Sequence, residues 1–156
     1  MDIRIVGALQ RIDNLQAKAK AEPVSSDLEL QSQIARFLCV LSSGLIEQAV
    51  IQTLSAYAKR QSHQNVARYV GSNITRLRNA KFEDVLIVLG HFNPEWREYF
   101  ETSTPRDVKD AIDSIVNNRN QIAHGGQAGI SLTTFMEYYK RVKSFVADLD
   151  AFVSTQ

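Results

Sequence analysis

Arg119-Asn120-Gln121-Ile122-Ala123-His124-Gly125-Gly126 is the stretch on which the reading of this chain turns. It continues a helix face begun by Val108, Ala111, Ile112, Ile115 and Val116, whose three-and-four spacing is helical. Ile122 and Ala123 extend that face, and Arg119 falls inside the same arc. A guanidinium cannot lose its charge. At such a position it needs an acid, a ligand phosphate or a polar cleft. Gly125-Gly126 then ends the helix and leaves His124 in its final turn. Thr104-Pro105-Arg106-Asp107 supplies the start signal at the other end.

The same periodicity extends through the rest of the chain. Residues 2–20 carry one apolar stripe through Ile5, Leu9, Ile12 and Ala19, and Glu22-Pro23 stops it. Ser26 with Glu29 fits a capping box for a second helix over 28–59. At 1.5 Å per residue that helix is a rod of roughly 50 Å. Ile34, Phe37, Leu38, Leu41, Leu45, Ile51 and Leu54 form its inner side, and Gly44 at its middle points to close packing or a bend. Glu47 interrupts an apolar stripe. It either takes a cation such as Arg119 as partner or lies on a solvated edge.

Gly71-Ser72-Asn73 reads as a break. Phe82 to Leu89 reads as a short apolar helix stopped by Gly90, with His91 a capping or surface residue. Asn93-Pro94-Glu95 opens another short helix, whose Trp96, Tyr99 and Phe100 belong to a core or interface. From Ser131 to about Phe152 an almost unbroken apolar stripe forms the last helix. No segment sustains a period of two. The class is therefore all-α: an antiparallel, up-down helical bundle with a long second helix and short helices inserted before the motif helix. The 156 residues are expected to make one domain, with no repeat, linker or low-complexity tract.

Composition excludes several classes. The chain is 44% hydrophobic and 22% charged with a net charge of +1, so no global field selects nucleic acid or membrane. Local charge differs: Lys59, Arg60, Arg68, Arg76, Arg78 and Lys81 face no Asp or Glu between them, and His63 and Tyr69 are interleaved. Such a segment attracts phosphates, or else is a solvated, irregular connection. The single Cys39 cannot form an internal disulfide. The first residues do not read as a signal peptide, and no run approaches ~18 uninterrupted apolar residues. A cytoplasmic location without membrane contact is expected. His63, His91 and His124 are scattered, so no metal site and no cofactor are expected. The glycines after His124 lack the strand and the Lys-Ser/Thr of a phosphate loop.

Arg119, Asn120 and His124 suit phosphodiester chemistry. An imidazole titrates near neutral pH and can act as general base or acid. Arg119 can hold a phosphate in a fork. Asn120, four residues before His124, shares its helix face and can orient the imidazole or touch the phosphate. Five residues turn roughly 140° on a helix, so Arg119 and His124 do not overlay without unwinding at Gly125. One histidine cannot readily be base and acid at once. A symmetric homodimer would supply a second copy.

The Arg-Asn-x-x-x-His-Gly run at the end of the penultimate long helix, after a long second helix and before a final amphipathic one, resembles the HEPN superfamily. It is similar in particular to the group called RiboL-PSP HEPN. The pattern of elements matches over residues 26–152, and the identity of residues is confined to the motif. The resemblance implies a homodimer with paired motifs in a shared cleft. It further implies metal-free cleavage of RNA to 2′,3′-cyclic phosphate ends, and a toxin or phage-defence role with an antitoxin or other defence-system subunit as partner. Arg119, Asn120 and His124 would be its active-site residues, with Glu47 matched to an acid of the long helix. Some members are non-catalytic. The alternatives are thus a helical dimerisation or binding module, or an accessory subunit that binds RNA or nucleotides through residues 59–81.

Overall fold

The computed structural model describes residues 1–21, 26–126 and 129–156. Seven helices and no strand occur among them: α1 (Ile3–Lys20), α2 (Leu28–Gln61), α3 (Gln64–Ile74), α4 (Phe82–Phe92), α5 (Pro94–Ser103), α6 (Arg106–Ala123) and α7 (Leu132–Ser154). Side-chain caps start most of them. Asp2 accepts the Arg4 N–H at 2.8 Å, Asn93 accepts the Glu95 N–H at 2.9 Å, and Ser131 accepts the Thr134 N–H at 3.0 Å. At α2 the cap is Asp27, which accepts the Leu30 N–H at 2.9 Å, rather than the expected Ser26. The expected stop at Glu22-Pro23 lies outside the described residues.

The long helix α2 is the axle. It packs against α1, α3, α6 and α7. Its small residues Ala35, Cys39, Ser42, Ser43 and Ala49 are buried together with Leu38, Leu45, Ile46 and Leu54. By length and composition α2 could cross a bilayer, but half of its most apolar window is buried inside the bundle. The buried half of that window is covered by its neighbours in the bundle.

Polar contacts fix the directions. The Met1 amine pairs with Asp150 at 3.2 Å, so the start of α1 lies by the end of α7. Arg60 donates to the Val153 carbonyl at 3.1 Å and Gln61 to the Gln156 carbonyl at 2.9 Å, so α2 and α7 end together. Arg141 of α7 donates to Asp107 at the start of α6, at 2.7 Å. The helices α1, α2, α6 and α7 thus alternate in direction, the up-down order that the sequence implies. Phe135, Tyr139, Val142, Phe145 and Leu149 of α7 are buried, each large side chain contributing about 1.5–3 kcal/mol. Rings from α2, α4, α5 and α7 close one end: Tyr57 meets Trp96 edge-on at 4.8 Å, and Phe152 stacks on Tyr99 at 4.3 Å.

Several local expectations need correcting. Gly71-Ser72-Asn73 does not break the chain but lies inside α3, and Gly90 lies inside α4, which runs on through His91 to Phe92. Phe37 is 47% exposed and leaves the inner face of α2. A side chain at Gly44 would meet nothing within 4 Å, so that glycine reflects no close packing.

Candidate active site

Helix α6 brings Val108, Ala111, Ile112, Ile115 and Val116 into the core, all of them buried. The face then turns out toward solvent. Arg119 and Asn120 are half-buried, Ile122 is partly buried, and Ala123 is exposed, unlike its expected place on the buried face. Arg119 donates from Nη1 to the Asn120 side-chain carbonyl at 3.3 Å. No ion pair among the described residues involves Arg119. An unneutralised guanidinium at a half-exposed helix face is therefore available to an anion.

The end of α6 is a complete glycine terminator. Gly125 has φ +73° and donates to the Ile122 carbonyl at 3.1 Å, while Gly126 donates to the Gln121 carbonyl at 2.8 Å. This pairing is the Schellman motif. The first glycine supplies the left-handed backbone, and a Cβ at the second would meet the Gln121 carbonyl oxygen at 3.0 Å, a tight contact. His124 is the C-cap residue, exposed, with its backbone N–H on the Asn120 carbonyl at 3.1 Å. The motif residues are thus joined through one turn of backbone. The Asn120 side chain faces Arg119 rather than the imidazole.

Glu47 has a different partner from the one considered above. Its Oε1 accepts the backbone N–H of Asn79 at 2.6 Å, and it forms no ion pair with Arg119. Asp113 of α6 does the same for the Phe82 N–H at 2.8 Å, a contact that the sequence did not signal. Asn79 has φ +52°, a left-handed backbone that asparagine tolerates better than most residues. Two acids from two core helices thus hold the connection between α3 and α4. The contacts also set Glu47 close to the level of Asp113. Arg119 lies six residues further along α6, roughly 9 Å of helix.

The basic segment divides. Lys59 and Arg60 end α2, Arg68 lies on α3, and Arg76, Arg78 and Lys81 lie in or beside the connection to α4. All six are exposed. Because α2 and α7 end together while α6 runs back towards the start of α7, Lys59, Arg60 and Arg68 lie at the opposite end of the bundle from His124. Within one chain the structure does not bring these three cations to the motif. Among the described residues no group of three or more His, Cys, Asp or Glu could hold a metal ion.

The matching family model is the one described as RiboL-PSP-HEPN, and it covers residues 8–155. Searches of curated proteins and of solved structures give no match. The matched span runs from within α1 to the end of α7 and includes both the long core helix and the glycine-terminated motif helix. The chain belongs to the RiboL-PSP-HEPN family.

Proposed function

We propose that this protein is an endoribonuclease that needs no metal, works as a homodimer, and serves as a toxin or phage-defence effector. The observation that carries the reading is Arg119: half-buried, matched by no acid among the described residues, and five positions before an exposed imidazole. In the reaction the ribose 2′-oxygen attacks the adjacent phosphorus and the bond from phosphorus to the 5′-oxygen breaks. A base takes the 2′-hydroxyl proton, and an acid delivers one to the departing 5′-oxygen. His124 serves as one of these groups, and the partner copy's histidine as the other. Arg119 stabilises the extra negative charge of the phosphorane, and Asn120 positions the guanidinium. The products are a 2′,3′-cyclic phosphate and a 5′-hydroxyl.

The test is cleavage of a mixed RNA panel in EDTA by wild type, Arg119→Ala and His124→Ala. Each variant should lose about 100-fold or more, the scale of general acid–base catalysis. Equal activity in all three, or no cleavage of any RNA by wild type, overturns the reading. The distance between Lys59, Arg60 and Arg68 and the motif favours a second reading, an RNA-binding subunit that does not cut. Salt-dependent RNA binding without product would select it.

A further inference from the structure

Helix α3 separates two cavities of contrasting chemistry. On one side, between α3, α2 and the start of α1, lies a cleft of about 600 Å³ that presents Arg4, Lys59 and Arg68 beside Ser55, Gln64 and Thr75. No acid lines it. Arg4 is already matched, by Asp2 at 2.9 Å, and Asp2 also acts on Lys59 through space, whereas among the described residues Arg68 forms no ion pair. On the other side, between α3, α2 and α4, lies an open cavity of about 540 Å³. Tyr57, Tyr69 and Phe92 line it, with His91, Asn73 and Gln61 among its polar groups. Tyr69 is 71% exposed, and no ring among the described residues stacks on it. Two other cations of this region have carbonyl partners: Arg60 donates to Val153 at 3.1 Å, and Arg78 to Thr75 at 2.6 Å.

We infer that α3 is a binding element for single-stranded RNA, taking phosphates in the Arg68 cleft and an unpaired base in the Tyr69 cavity. Cations that follow a backbone and aromatic faces that accept bases are the two requirements for holding a single strand. Here they occupy opposite sides of one helix. A phosphate-only ligand would leave the aromatic cavity unused, and an apolar protein segment would leave the cations unmatched. The site is separate from the motif and lies at the other end of the bundle, so it would grip substrate remote from the scissile bond. That the strand is RNA rests on the ribonuclease reading; the two are tested apart.

The test is fluorescence anisotropy with a short labelled 2′-O-methyl oligonucleotide. It lacks the attacking hydroxyl, so binding is read without cleavage. Arg68→Glu should weaken binding about tenfold or more and flatten the dependence on salt by about one ion. Tyr69→Ala should weaken it about fivefold or more and leave the salt dependence unchanged. Lys140→Glu, the same charge change at an exposed site on α7, should stay within about twofold of wild type. Polyphosphate and duplex RNA should compete poorly. The inference falls if the oligonucleotide does not bind, if Tyr69→Ala binds as wild type does, if Lys140→Glu is as damaging as Arg68→Glu, or if polyphosphate or duplex competes equally.

Discussion

Arg119 and Glu47 lie on helices packed together, yet each has found a neutral partner: a side-chain amide for the cation, a backbone N–H for the carboxylate. The energetic consequences differ. Breaking a buried ion pair strands a charge and costs ~3–5 kcal/mol. Arg119→Ala strands none, so it should cost no more than about 1 kcal/mol in urea unfolding while removing activity. Glu47→Ala removes a charge-assisted hydrogen bond to a half-buried backbone donor and should cost about 1.5–3 kcal/mol. A loss from Arg119→Ala as large as that from Glu47→Ala would mean the guanidinium serves the fold. The sequence exposed Arg119 by its inconsistency with an apolar face. It did not expose the partner of Glu47, because a backbone N–H thirty-two positions away leaves no mark on side-chain pattern.

At the scale of elements, the start signals at Asn93 and Ser131 read correctly because capping chemistry is local, whereas at α2 the cap is one residue later than expected, at Asp27. Stop signals read from residue type alone did worse. Gly71 and Gly90 both sit within helices, where glycine is merely a weaker former. Ser72 and Asn73 tie their side chains back to the Tyr69 carbonyl, at 2.8 Å and 2.9 Å, and so stay helical. The left-handed residue stands later, at Asn79, held by an acid that the local sequence does not contain. Phe37 falls outside the inner face of α2 because periodicity gives a face and not the position of its edge. Gly71→Ala follows from this: the added methyl meets open space in a helical position, so the chain should gain about 0.5–1 kcal/mol, seen as a higher melting temperature. An unchanged or lower value would mean α3 needs that glycine's flexibility.

Over the whole molecule, burial governs the response to alkali. Cys39 is fully buried in the core, and desolvation pushes its thiol from 9.0 up to about 12. The folded chain therefore favours the protonated thiol. Its contribution to stability is complete below pH 9.0 and is lost as pH rises towards about 12. Burial, with Asp13 nearby, raises the Tyr139 hydroxyl in the same direction. Between pH 8 and 10.5 wild type should lose on the order of 2 kcal/mol more than Cys39→Ala in urea unfolding. Parallel curves for the two proteins would remove Cys39 as a cause. The bundle and the place of the motif within it were legible because both depend on helical periodicity. The separation of Lys59, Arg60 and Arg68 from His124 was not, since it depends on which helices run together.

The axle-like burial of α2 has a consequence for the order in which the chain is made. Synthesis from the N-terminus delivers α2 long before α6, and α6 before α7. Until α6 and α7 follow, this long apolar helix has only α1 and α3 among its main packing partners. A ribosome-bound intermediate is thus obliged to carry an uncovered hydrophobic surface, the condition under which nascent chains aggregate or recruit chaperones. The same helix that organises the finished bundle makes its folding wait for α6 and α7 to emerge.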